Sequence, residues 1–168
     1  MINLPKIASS KLIFKNRLGS GLSLEALEQL VADSGFILIE YSRYDNNNDV
    51  KTLIHKLGLE TSLAKTNSLI YSTSKIKLLF INKDLSETDK IILLRHELGH
   101  IYDTHLNMPN HLYSNIEREL YANEFAHYLA YPPVWVRLCS LFFRNSSNSI
   151  IIALLLLIAL SVCLLAIL

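Results

Sequence analysis

The sequence contains few of the residues that constrain a small fold covalently or at the backbone, with 2 cysteines, 5 glycines and 4 prolines among 168 residues. Cys139 and Cys163 are too few for a disulfide framework, which excludes a small cross-linked secreted domain and fits a reducing compartment. A formal net charge of +1 lacks the excess of cations typical of nucleic-acid-binding proteins, so direct nucleic-acid binding is not expected. A chain of this length is expected to form one domain with extensions rather than two independent domains.

Charged residues are missing from the C-terminal end, because none follows Arg144. From Ile150 to Leu168 every residue except Ser161 is apolar. As a helix, a run of this length spans roughly 29 Å, about the thickness of the hydrocarbon core of a bilayer. This composition predicts a transmembrane helix over residues 149–168 that contacts the lipid bilayer as a C-terminal anchor. A buried core helix is the alternative, but it would normally show a polar face.

The start of the chain lacks an uninterrupted apolar run, so no secretory leader is expected. Four cations interrupt it: Lys6, Lys11, Lys15 and Arg17. Residues 1–22 are interpreted as a basic, solvated N-terminal arm, with contact to anionic lipid as the alternative. Arg137 and Arg144 precede the apolar run within a predicted juxtamembrane linker, residues 134–148. The positive-inside rule therefore predicts a single-pass membrane protein whose preceding domain is cytoplasmic.

The first half of the chain alternates between helix and strand patterns. Ser23 is a favourable N-cap for a helix that extends to Val31. Residues 36–41 are β-branched and aromatic, which predicts a strand. Residues 50–57 predict a short helix that Gly58 ends, whereas the residues that follow fit no single pattern.

The second half predicts a hairpin followed by two helices. Two apolar runs, 68–71 and 76–82, flank a polar turn and predict a β-hairpin. Ser86 is a favourable N-cap for the next helix, and a capping box at Ser114 starts another that ends before Pro132. The predicted fold class is therefore α+β, with a short antiparallel sheet and helices.

The segment His96-Glu97-Leu98-Gly99-His100 has the HExxH pattern and falls within the first of these two helices. Residues four apart lie on one helix face, so both imidazoles can bind one Zn²⁺ ion. Zinc lowers the pKa of a bound water to roughly 7, and Glu97 can take its proton while the water attacks a peptide carbonyl. The alternative is that the spacing arises by chance and that the side chains are only solvated or half-buried.

A third zinc ligand is expected, since zinc in hydrolases usually takes three protein ligands. The metzincin pattern HExxHxxGxxH is absent because Asp103 and Leu106 occupy the glycine and last histidine positions. The next predicted helix offers three carboxylates, Glu117, Glu119 and Glu124. Glu117 belongs to the capping box and lies nearly opposite Glu119 on the helix, so Glu119 is preferred. A surface role for Glu119 is the alternative.

Small residues share the helix face of Glu119, among them Ala122 and Ala126. Such a face allows the two helices to approach closely, and Asn123 can then hydrogen-bond a ligating imidazole. Tyr121 and His127 are candidates to stabilise the oxyanion of the reaction, as are Tyr128 and His111. The alternative for His127 is a structural or solvent-facing role.

Residues 119–126, ELYANEFA, resemble the ExxANxFA segment that follows HExxH in the ImmA/IrrE metallo-endopeptidase family. The resemblance covers about residues 20–133 and departs from the pattern at Tyr121, where members often carry a second glutamate. It implies a gluzincin-like fold in which the HExxH helix packs on the ExxANxFA helix, with one Zn²⁺ ion at His96, His100 and Glu119 and with Glu97 as the base. Members commonly act on a helix-turn-helix repressor, and many are encoded by mobile elements.

The sequence thus predicts a membrane-anchored, zinc-dependent endopeptidase with its metallopeptidase domain at residues 23–133. Its expected substrate is a protein that regulates transcription, such as a helix-turn-helix repressor. The alternative is a non-catalytic antirepressor or sensor that binds a regulator through the same fold. An integral membrane protease is a third possibility, which a single predicted span disfavours.

Overall fold

The computed structural model describes residues 4–16, 22–103 and 115–144 of the chain, with side chains up to residue 139. Within these ranges there are seven helices and three strands. The helices are α1 (Leu4–Lys15), α2 (Leu24–Asp33), α3 (Asn48–Leu57), α4 (Glu60–Lys65), α5 (Glu87–Tyr102), α6 (Asn115–Ala130) and α7 (Val134–Arg144). The strands are β1 (Ile37–Tyr41), β2 (Ser68–Ser72) and β3 (Lys77–Asn82).

Local capping sets the ends of several elements, as the sequence predicted. The side chains of Ser23 and Ser86 accept hydrogen bonds from the backbone N–H of Ala26 and Asp89, at the starts of α2 and α5. Gly58 ends α3 with a φ of 66°, a left-handed conformation that glycine adopts without a Cβ clash. The capping box predicted at Ser114 lies outside the described residues.

The three strands form one mixed sheet in the order β1-β3-β2. The predicted hairpin is confirmed, because β2 and β3 pair antiparallel with Ser68 opposite Ile81. The prediction of an antiparallel sheet is wrong for β1, which pairs parallel to β3. The chain passes through α3 and α4 between β1 and the hairpin, and a crossover of this length permits parallel pairing.

Helices cover both faces of the sheet because successive strand side chains point to opposite sides. Leu79 and Ile81 of β3 join a core cluster with residues of α1, α2, α5, α6 and α7. Leu78 and Phe80 point the other way, into a smaller cluster with residues of α3 and α4. The sheet therefore forms the middle of three layers, and its Leu79 face supports the helix that carries HExxH.

The N-terminal helix α1 belongs to the larger core. Leu12 and Ile13 are buried, and α1 packs against α6. The ring of Phe14 also lies 5.9 Å, centroid to centroid, from that of Trp135 in α7. The segment interpreted as a solvated arm therefore contains a helix whose Leu12 and Ile13 pack in the core, and Lys6, Lys11 and Lys15 lie on the same helix.

No helix within residues 4–16, 22–103 and 115–144 is long and apolar enough to cross a bilayer. The longest, α5 and α6, have 16 residues each and carry charged side chains, whereas a span needs about 20 mostly apolar residues. This finding overturns the prediction of a fold that ends in a transmembrane helix and of a single-pass, membrane-anchored protein. Residues 149–168, to which the span was assigned, lie outside the described part of the chain.

Candidate metal centre

The helix α5 presents His96 and His100 on one face, one turn apart. Their Nε2 atoms are 3.0 Å apart, and the ring planes are nearly perpendicular, at 84°. Both side chains are about four-fifths buried, with 22% and 20% of their surface exposed. The convergence predicted from the i, i+4 spacing is therefore present.

Glu119 of α6 reaches the same point from the neighbouring helix. Its Oε2 lies 3.3 Å from His96 Nε2, and its Oε1 lies 3.4 Å from His100 Nε2. Ligand atoms bonded to a tetrahedral zinc at about 2.0–2.1 Å are roughly 3.3 Å from one another. The three side chains thus have the spacing and the donor types that one zinc ion requires, and together they could hold a metal ion.

A close contact between backbones brings Glu119 within reach. A Cβ on Gly99 would lie 2.6 Å from Ala122 Cα and 2.8 Å from its carbonyl oxygen. Only a residue without a side chain at position 99 permits this approach of α5 to α6. Ala122, one of the small residues predicted on the Glu119 face, therefore lies where the two helices meet at the site.

Asn123 lies one turn after Glu119 and contacts the far side of the first imidazole. Its Oδ1 is 3.0 Å from His96 Nδ1. With Nδ1–H as donor to this oxygen, the lone pair of His96 is on Nε2, the atom that faces His100 and Glu119. The contact thus selects the tautomer that a metal ligand needs.

Burial lowers the pKa of His100, and nearby His96 acts in the same direction, while the carboxylates of Glu97 and Glu119 act against them. The lowered pKa favours the neutral imidazole, which is the form that binds a metal ion. The electrostatic surroundings of His100 therefore agree with the geometry.

Glu97 lies between the two imidazoles in sequence and is 7% exposed. Its Oε1 accepts a hydrogen bond of 2.6 Å from the hydroxyl of Ser68, the first residue of β2. Sequence reasoning missed Ser68, since the two residues are 29 positions apart and no motif includes a serine at the start of this hairpin. Only the packing of β2 beside α5 reveals the contact.

An open cleft of about 740 Å³ contains the side chains of His96, Glu97, His100 and Glu119. The strand β2 forms one wall of this cleft, through Ser68, Leu69, Ile70 and Ser72. Lys77, Asp103 and Arg118 add charged groups to it.

A second hollow, of about 600 Å³, continues on the other side of His96. It has a more apolar lining, which includes Leu85, Ile92, Leu93 and Ala126.

Two predicted site residues lie elsewhere. The Tyr121 hydroxyl donates to the backbone oxygen of Tyr102 at 3.3 Å, and burial raises the pKa of Tyr121 to about 12, with Asp103 acting in the same direction. His127 is exposed, and its ring contacts Tyr128 and Tyr131. Neither residue lines the cleft at Glu97. Tyr128, a further candidate, contacts the ring of His127 and does not line this cleft, and the fourth candidate, His111, lies outside the described residues.

The site has the donor set of zinc hydrolases of the HExxH class. Two imidazoles and a carboxylate lie around one point, and a buried carboxylate lies beside the first imidazole.

The family model Peptidase_M78, described as the IrrE N-terminal-like domain, matches residues 47–133, just over half of the chain. The chain belongs to this family, which confirms the ImmA/IrrE resemblance and indicates a metallopeptidase with a protein substrate. No curated protein matches the chain. No solved structure matches it.

Proposed function

We propose that this protein is a zinc-dependent endopeptidase of the ImmA/IrrE type. The observation that carries the proposal is the convergence of His96, His100 and Glu119 from two helices, within 4.8 Å of one another, beside the buried carboxylate of Glu97. Family membership supports the same reaction class. A binding module would need neither this donor set nor the acid next to it.

The proposed roles follow from the chemistry of each group. A zinc ion held by these ligands would polarise the peptide carbonyl and lower the pKa of a bound water. Glu97 is the proposed base, which takes the proton from the attacking water and delivers it to the leaving amine. Asn123 holds the His96 ring in position through Nδ1.

The strand β2 is the proposed docking edge for the substrate. Among the residues that the structure describes it pairs only with β3, and residues along it line the cleft. Backbone bonds from Asn82 N to Asn67 O and from Thr73 N to Ile76 O show which β2 residues face β3. By the alternation of an antiparallel ladder, the N–H groups of Ser68 and Ile70 point to the open edge. An extended peptide can pair there as an additional strand.

The proposed substrate is a regulatory protein, such as a helix-turn-helix repressor encoded beside this chain. Support for this assignment comes from the ImmA/IrrE resemblance of HELGH and ELYANEFA, because members with this pattern commonly act on such repressors. Pairing of substrate with a strand edge favours cleavage in an extended or locally unfolded segment of the repressor.

Substitutions of Glu97 and Glu119 distinguish the proposed role of a base from that of a metal ligand. In Glu97→Gln, cleavage of the neighbouring repressor should fall at least about 100-fold, since the side chain keeps its shape but loses the base. Zinc binding should persist in this variant. In Glu119→Gln, zinc affinity itself should fall more than about 100-fold, as expected for loss of a ligand. Elemental analysis and a gel-based cleavage assay measure both effects.

Glu124→Gln is the matched control, because Glu124 lies on the same helix as Glu119 but outside the cation-binding group. It should retain both zinc and cleavage. If Glu97→Gln cleaves as fast as the unmodified protein, the proposed mechanism is wrong. If this variant relieves repression without cleaving the repressor, the alternative function, a non-catalytic antirepressor or sensor, is correct.

A further inference from the structure

The hydrogen bond between Ser68 and Glu97 joins the substrate-facing strand to the proposed base. Ser68 Oγ donates to Glu97 Oε1 at 2.6 Å, within the usual range for a hydrogen bond between two oxygens. In the described part of the chain no second hydrogen bond to this carboxylate is found. One hydroxyl therefore restrains a side chain that is 7% exposed.

The restraint matters because the last torsion of a glutamate side chain is intrinsically broad. Without a partner, the carboxylate plane can rotate and present its oxygens to the cleft in different directions. A donor on Oε1 fixes that plane and leaves Oε2 as the oxygen that is available to accept a proton. Proton transfer requires the accepting oxygen to lie within hydrogen-bond reach of the donor.

Ser68 is itself held in place by the residues that precede it. Asn67 O accepts from Asn82 N at 2.9 Å, and Asn67 Oδ1 accepts from Arg43 at 2.9 Å. Thr66 O accepts from Arg43 at 3.1 Å and from the hydroxyl of Tyr41. Of these donors, Asn82 is the last residue of β3, Tyr41 is the last residue of β1, and Arg43 lies two residues after β1. The backbone that carries the serine hydroxyl is thus held by hydrogen bonds from the sheet. Such fixed positioning of the supporting residues is what a preorganised site requires.

We propose that Ser68 is a positioning residue that sets the orientation of the Glu97 carboxylate. The proposal rests on the proposed function, since it assigns Ser68 a role through the base of that reaction. Ser68 would then belong both to the strand with which a peptide pairs and to the hydrogen bond that orients the base. The positions of the bound peptide and of the base would therefore depend on the same residue.

The test uses the full chain loaded with Co²⁺ and titrated with acetohydroxamate, which requires no known substrate. A hydroxamate binds a divalent cation through its oxygens, and its N–H or O–H can donate a charge-assisted hydrogen bond to a neighbouring carboxylate. Its affinity, read from the visible Co²⁺ spectrum, therefore reports whether Glu97 is correctly oriented. Glu97→Gln should weaken acetohydroxamate binding at least about tenfold.

Ser68→Thr and Ser68→Val are the matched pair, because they have the same branched shape and suit an edge strand equally, but only threonine keeps the hydroxyl. We expect Ser68→Val to weaken acetohydroxamate binding roughly tenfold and Ser68→Thr to stay within about threefold of the unmodified protein. Co²⁺ affinity should be the same in both, since neither substitution touches a ligand. Equal melting temperatures would show that both variants fold.

The possible failures are distinguishable. If the unmodified chain binds no Co²⁺ or Zn²⁺, or if Glu97→Gln binds acetohydroxamate unchanged, the proposed function fails and the positioning role fails with it. If those controls behave as expected but Ser68→Val and Ser68→Thr bind acetohydroxamate equally well, only the role of Ser68 is overturned.

Discussion

Gly99 is the residue on which the approach of α5 to α6 depends. The HExxH pattern leaves this position open to any residue, yet here the backbone of Ala122 occupies the space that a side chain would need. The requirement comes from Glu119, the proposed third ligand, which reaches from α6 to the two imidazoles. Gly99 therefore allows α6 to lie close enough to α5 for Glu119 to reach the two imidazoles.

Gly99→Ala should lower the free energy of unfolding by about 1–3 kcal/mol, because an added methyl group overpacks the contact with a backbone that cannot rotate away. It should also weaken zinc binding, since α6 carries Glu119. Urea denaturation and a competitive zinc titration measure the two effects.

Gly58→Ala provides the control for this substitution. Gly58 has a φ of 66° but nothing within 4 Å of an added Cβ, so strain is the only cost, about 1 kcal/mol. Zinc affinity should not change in this variant. Equal loss of zinc affinity in both variants would contradict a specific role for the contact between Gly99 and Ala122.

Residues differ in how far their roles can be read from sequence. The convergence of His96 and His100 follows from helix periodicity alone, and Glu119 was preferred because Glu117 points the other way on the same helix. Tyr121 was one of the candidates to stabilise the oxyanion. Its side chain points away from the cleft, since residues two apart on a helix are about 200° apart.

At the scale of elements, β2 has an edge beside the proposed metal site with which no strand of the described residues pairs. Ile70→Pro removes an N–H that points away from β3, so the sheet itself keeps its hydrogen bonds. If a peptide pairs with this edge, cleavage should fall more than about tenfold relative to Ile70→Ala. Ile70→Ala is the control because Ile70 packs on the core and both variants lose its side chain.

Zinc content measured in the Ile70 variants separates loss of docking from loss of the metal. We expect both proteins to bind zinc equally and to differ only in turnover. The same rate of cleavage in Ile70→Pro and Ile70→Ala would show that β2 does not bind substrate through its backbone.

Several elements and the hairpin were predictable from local signals, whereas α1, α4, α7 and the pairing of β1 were not. Caps and apolar periodicity located α2, α3, α5 and the hairpin, because these signals lie within a few residues of each other. The parallel pairing of β1 with β3 has no such local signal. It depends on α3 and α4, which cover one face of the sheet, and α4 falls where the pattern favoured no element.

At the scale of the whole molecule, the core extends beyond the segment that matches the family model. Leu12 of α1 and Val136 of α7 are buried in the same cluster as Leu98 of α5 and Phe125 of α6. The matched residues, 47–133, include neither α1 nor α7. Helix α1 therefore supports the helix that presents Glu119, and α7 packs in turn against α1.

Leu12→Ala should lower the free energy of unfolding by about 2–5 kcal/mol, since it removes a side chain that is 3% exposed and leaves a cavity. Ile7→Ala is the control on the same helix, because Ile7 is 42% exposed and should cost less than about 1 kcal/mol. Urea denaturation in the presence of EDTA measures both without a contribution from bound metal. Equal effects would show that α1 is not part of the core.

From the amino-acid order alone one can derive the class of reaction and the candidate ligands, because helix periodicity and short motifs act over a few residues. The position of Ser68 against Glu97, the mixed sheet and the burial of α1 arise only when distant segments pack together. Apolar composition also predicted a bilayer span that no described helix supports. Composition reports how apolar a segment is, whereas the packing of the folded chain decides which surfaces meet.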